Sequence, residues 1–161
     1  MDLYPWLRFV HVLAAIVFAL AHGVSTFVLY RVRAEGDRAR LAALADLSAS
    51  SFGVGMGALL VSVVAGIWAA IAGGHFAQAW PWAAIVTLVV VGGLMTPLAA
   101  IPMNKVRHAL GIRIRGDTDA PPPAGDDELA ALRGAVRPGL VSAIGVGGLA
   151  ILVGLMSLKP F

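Results

Sequence analysis

The chain has 161 residues, no cysteine and a formal net charge of +3; 59% of it is hydrophobic, only 13% is charged, and the mean hydropathy is +0.86. An ordinary soluble domain carries about 25% charged residues, and a water-soluble core of this size could not hide so much apolar surface, so a lipid bilayer is the solvent that fits. The missing thiols exclude disulfides, thiolate metal sites, c-type haem attachment and cysteine nucleophiles. The basic residues flank apolar stretches, as cytoplasmic charges do, so the chain is expected to partner a bilayer and no nucleic acid.

A spanning helix needs about 20 mostly apolar residues. Four stretches qualify, residues 5–31, 52–72, 81–101 and 138–158, and the last three contain no Asp, Glu, Lys or Arg. None alternates with the period of two that a barrel strand requires. The expected fold is all-α, a single domain over residues 1–161 built as a bundle of four transmembrane helices. The first span reads as retained, because Asp2 precedes any basic residue and no small-x-small cleavage site follows before Arg31.

The loops set the expected orientation. The first connection holds Arg31, Arg33, Arg38 and Arg40, the third holds Lys105, Arg107, Arg113, Arg115, Arg133 and Arg137, and the second holds no Lys or Arg. Positive charge stays inside, which puts both termini outside. Tyr4, Trp6, Phe76, Trp80 and Trp82 then fall at the outer interface, where amphipathic rings settle. A composition rich in Ala, Gly and Arg suggests a bacterial gene, hence a multi-pass protein of the bacterial plasma (inner) membrane.

The connections differ in character. Leu41, Leu44 and Leu47 recur at helical spacing among charges, which suits either an amphipathic helix on the inner leaflet or a plain helical loop. Residues 116–125, with Pro121, Pro122 and Pro123, read as an extended, mobile linker. Asp126, Asp127 and Glu128 mark a helix start, so the fourth helix is expected to begin before the membrane and kink at Pro138. Small residues are expected to form packing seams: Gly53, Gly55 and Gly57 on the second span, Gly92 and Gly93 on the third, and Ala143, Gly147, Ala150 and Gly154 on the fourth. The same seams suit self-association or binding to other membrane proteins.

The first span carries the informative constellation. At 3.6 residues per turn, Arg8, His11, Ala14, Ala15, Phe18, His22, Ser25 and Thr26 share one face, and Leu13, Ile16, Val17, Leu20, Val24 and Phe27 share the other. The first face should pack inward and the second should meet lipid. Polar groups in a membrane are costly, so an intramembrane histidine is a candidate for function. Neutral imidazole ligates haem iron, copper or zinc; it can equally donate an interhelical hydrogen bond. His11 and His22 lie about 16 Å apart along the axis, too far to share one ion. His11 is the first candidate ligand for a haem or metal ion and His22 the second. His75 is a possible metal partner of His11 from the outer side, and Arg8 could meet a haem propionate or snorkel to lipid phosphate. His108 is expected to be solvated. No carboxylate lies in the last three spans, which weakens an ion-coupled permease.

Trp6, four residues and then His11-Val12-Leu13-Ala14-Ala15 resembles the first helix of small histidine-bearing bacterial membrane proteins, among them the CopD copper-resistance domain and the HemJ-type protoporphyrinogen oxidases. Ala21-His22-Gly23-Val24-Ser25 with Asp46-Leu47-Ser48 resembles an uncharacterised family of four-helix membrane proteins, a domain of unknown function, over most of the chain. The first resemblance implies His11 as a ligand of haem b or copper and nothing beyond it, since Phe18 and Ala21 stand where those families carry Trp and Gly. Three functions follow as expectations: a haem- or metal-binding role in redox chemistry or metal handling, a non-catalytic subunit or assembly factor of a larger complex, and a small permease.

Overall fold

The computed structural model describes residues 3–160, so Asp2 lies outside the described residues. The described residues are helical throughout the apolar stretches: α1 Tyr4–Ala34, α2 Arg38–Ala72, a 3-10 turn His75–Ala77, α3 Trp80–Met95, a π-helical turn Thr96–Ala100, α4 Ile101–Ala109, α5 Asp126–Ala135 and α6 Pro138–Leu158. Four helical rods are long and apolar enough to cross a membrane, with mean hydropathy of 2.2 to 2.3 over their most apolar windows. The two basic connections gather at one end and the Trp-bearing connection at the other; these are the basic end and the aromatic end below.

Local chemistry explains the boundaries. Pro5 opens α1, where its missing N–H is no loss. Asp37 caps α2 by accepting the Arg40 N–H at 2.8 Å. α2 therefore starts at Arg38 and runs 35 residues without a break, so the stretch around Leu41 is the first turns of the second span and no separate surface helix. Two prolines interrupt the third span. Pro97 cannot donate and Pro102 crowds the carbonyl four residues back; the chain answers with a wider turn, in which the Ile101 N–H bonds Thr96 O. The fourth span does more than kink. Val136 is extended, and α5 and α6 are separate helices.

α1 is the hub. It lies antiparallel along α2 and also against α6, and α6 packs on α3. α2 and α3 have next to no direct helix-to-helix contact, so the bundle is closed on three sides and splayed on the fourth. The division of α1 holds: Ala14, Ala21 and Thr26 are buried and His11, Phe18 and His22 half-buried, while Leu13, Ile16, Val17, Leu20, Val24 and Phe27 are exposed to the lipid-facing side.

The small-residue seams are displaced from their expected places. Within the spans, the glycines that meet a neighbouring helix most closely are Gly55 against Ala21, Gly66 against His11, Gly145 against His22 and Gly148 against Val91. Gly53, Gly57, Gly147 and Gly154 face open space, and Ala143 and Ala150 are exposed. Of the expected seam residues Gly55 does pack, against Ala21, while the GxxxG pair and the fourth-span row do not, because Gly and Ala are abundant on every face.

The densest side-chain core lies at the basic end. Val28, Leu29 and Val32 of α1 meet Leu41 of α2, Met103 and Val106 of α4, Leu129 of α5, and Val136 and Val141. Arg107 reaches across to Ser48 Oγ at 3.1 Å and Asn104 Oδ1 at 2.8 Å, and Arg33 donates to Val136 O at 2.6 Å. Residues 116–125, expected to form an extended, mobile linker, carry hydrogen bonds near both ends. The Ala124 N–H bonds Ala109 O, Arg38 donates to Ala124 O and pairs with Asp126, and Asp117 accepts the Ile114 N–H at 2.9 Å. His108, expected to be solvated, is partnered by Asp117 at 2.9 Å.

Two outcomes test this packing. A Cβ on Gly148 would meet Val91 Cγ2 at 2.6 Å, so Gly148→Ala should lower the unfolding temperature in detergent, by a loss of about 1–3 kcal/mol, while Gly147→Ala should not. Asp117 is held below the usual carboxylate range, first by the Ile114 N–H and then by His108. A pKa lowered by folding contributes stability above the ordinary carboxylate pKa and loses it as pH falls through the lowered value. Hydrogen exchange at residues 111–124, corrected for intrinsic rates, should therefore rise below that range, and at neutral pH in Asp117→Asn.

Candidate functional site

His11 lies in the third turn of α1, near the aromatic end, between α2 and α6. Its Nδ1 sits 2.8 Å from Ser62 O. A carbonyl can only accept, so Nδ1 carries the proton and Nε2 of the neutral ring is a bare lone pair. Ser62 Oγ adds to the clamp, 3.2 Å from Nδ1 and donating to His11 O at 3.2 Å. Gly66, one turn beyond Ser62 on α2, makes room for the ring: a Cβ there would lie 2.6 Å from Nδ1. Nε2 faces Met156 Sδ of α6 at 3.4 Å. Anchored Nδ1 and free Nε2 is the arrangement that fixes the tautomer and orientation of metal-binding histidines.

His22 is about three turns deeper and packs differently. It stacks on Phe18 with ring centroids 5.9 Å apart, and its Nε2 is buried against Gly145 of α6 without a hydrogen-bond partner. The two contacts step evenly along an antiparallel pair, since eleven residues separate His11 from His22 and Gly145 from Met156. The helix backbone occupies the space in front of His22 Nε2.

His75 belongs to another cluster. Its Nε2 lies 3.0 Å from the Tyr4 hydroxyl, its ring is 5.4 Å from that of Trp80, and Gly73 accommodates it. Tyr4 precedes His11 by two turns, about 10 Å along the axis, so His75 and His11 are not brought to one point. Arg8, placed by periodicity on the histidine face, is exposed and lies over the Tyr4 ring at 5.6 Å. Among the described residues no group of three or more His, Cys, Asp or Glu side chains is placed to hold a metal ion.

The fit of a haem can be tested on these distances. An iron held between imidazole and thioether in line needs about 4.3 Å between nitrogen and sulfur, taking metal–ligand lengths of about 2.0 and 2.3 Å. The pair stands at 3.4 Å, closer than that in-line spacing. A bare ion bound to one side of both atoms is compatible with the spacing.

Ser62, Gly66 and Met156 were not legible as site residues. Ser62 is a polar residue inside an apolar span and Gly66 follows at the next turn, which is a weak signal. Met156 lies 145 positions from His11 in sequence, and only the α1–α6 pairing joins them. The chain matches no protein-family model, no curated protein and no solved structure.

The tautomer is directly measurable. Nitrogen-15 NMR of histidine-labelled protein in micelles should give a protonated Nδ1 and a bare Nε2 for His11, and Gly66→Ala should disturb that resonance by pushing the ring off Ser62. A protonated Nε2 on a neutral His11 would contradict the geometry.

Proposed function

We propose that this chain is a multi-pass protein of the bacterial inner membrane, with both termini outside, in which His11 is the ligand of a metal centre used in metal handling or redox chemistry. The orientation is supported by the separation of basic and aromatic ends along the four rods. The metal role rests on one observation: His11 Nδ1 is anchored on a carbonyl while its Nε2 is left basic inside an apolar span. His22 differs: its Nε2 is buried against Gly145 with no hydrogen-bond partner and no second donor atom facing it. A bare ion is favoured over haem b by the closed spacing at Nε2.

A second reading has its own support. Gly53 and Gly57 on α2, Gly92 and Gly93 on α3, and Gly147 and Gly154 on α6 have nothing within 4 Å of a modest side chain placed there. Glycine faces left open within the membrane are what another helix could approach closely. A non-catalytic subunit, or self-association, would use them.

One purification separates these readings. Protein extracted from its native membrane in mild detergent is expected to carry a stoichiometric metal ion that His11→Ala loses, with no Soret band. A Soret band lost in His11→Ala would replace the bare ion by haem. Metal-free, colourless protein travelling with other membrane subunits, and unaffected by His11→Ala, would leave the subunit reading in its place.

A further inference from the structure

The nature of the ion follows from what faces His11 Nε2. With Nδ1–H committed to Ser62 O, Nε2 presents a lone pair, and 3.4 Å away Met156 Sδ presents another. A thioether has no proton to give and is a weak acceptor. Two Lewis bases therefore lie in contact, close enough for one Lewis acid to bridge both. A proton would do it by turning His11 into an imidazolium, at the expense of placing a charge in the span with no acid beside it. Among metal ions, hard cations seek oxygen, and no carboxylate lies in the last three spans. A thioether paired with an imidazole selects a soft or borderline ion of low charge, Cu(I) above Zn(II).

We infer that His11 Nε2 and Met156 Sδ form the protein half of a site for a soft monovalent cation of the Cu(I) class. The inference rests on the reading of His11 as a ligand and adds the second ligand and the kind of ion. With bonds of about 2.0 and 2.3 Å, an ion touching both atoms at their present separation subtends an angle of about 105°. That angle belongs to a three- or four-coordinate ion, so coordination positions remain for an exchangeable donor. Met156 is 37% exposed and lies two residues from the end of α6, which gives the site access from the aromatic end. A pair of protein ligands with open positions suits an ion that is passed on more than one that is stored.

The test uses the full chain in detergent micelles, stripped of metal, titrated with Cu(I) against a chromophoric Cu(I) chelator, and with Ag(I) as a redox-inert probe observed through carbon-13 methyl-labelled methionine. One equivalent should bind, and the Met156 methyl resonance should move. Met156→Leu keeps volume and apolar character, so the bundle should stay folded while affinity falls at least tenfold; His11→Ala should abolish binding and His22→Ala should not. Zn(II) should not compete. Unchanged Cu(I) affinity in Met156→Leu, or movement of a different methionine, overturns the inference. If Zn(II) or haem binds through His11 and Cu(I) does not, the soft-ion site is lost while the ligand role of His11 stands; if nothing binds at His11, both fall.

Discussion

The structure depends on how closely α2 and α6 can approach α1, and glycine sets that distance. The ring of His11 lies where a side chain at Gly66 would be, and the ring of His22 lies where one at Gly145 would be. In lipid, apolar contact between helices gains nothing over contact with acyl chains, so association must come from close packing and from polar groups that find partners. Here the two are the same device. A glycine on one helix admits an imidazole from its neighbour, and the imidazole in turn fixes the register of the pair. The even step of eleven residues on both helices is the consequence.

Beyond the bilayer the physics changes and so does the packing. At the basic end, Val28, Val32, Leu41, Val106 and Val136 are fully or almost fully buried, with α5 and the proline-rich segment laid over them. Water is the competing solvent there, and burying branched apolar side chains is favourable at roughly 25 cal/mol per Å². Large side chains accordingly gather at the basic ends of the spans and in the segments beyond them, while the rest of each span is held by small ones. Hydrogen bonds at Asp117 and Ala124 join the proline-rich segment to this cap. A stable cap leaves the splayed edge between α2 and α3 as the side on which the bundle can be entered or joined.

What the sequence disclosed and what it withheld divide along the same line. Hydropathy reports solvent, so the four spans were readable, as was the lipid-facing row from Leu13 to Phe27 on α1. The prolines announced breaks, although not that Pro97 and Pro102 would open a π turn or that Val136 would separate α5 from α6. Seams made of glycine were not readable, because Gly53 and Gly57 look in sequence like Gly55 and Gly66 but face the opposite way. His11 could be singled out, because a histidine in an apolar span is unusual. Its surroundings could not, since Ser62 and Met156 reach it only through the pairing of three separate helices.

The contrast between the two histidines of α1 carries the functional argument. Both are half-buried, on one face of one helix, against glycine. His22 has its outward nitrogen closed off by the α6 backbone and aromatic carbon stacked on its ring, an arrangement that packs and goes no further. His11 has its inward nitrogen held by Ser62 and its outward nitrogen set against sulfur near the membrane surface. If helix packing alone governed both, nothing would require the second to have a fixed tautomer, a paired thioether and a path to the aromatic end. Met156 could be leucine without loss to the fold. On the proposed reading, a methionine at that place supplies a soft sulfur that an apolar residue of the same volume would not.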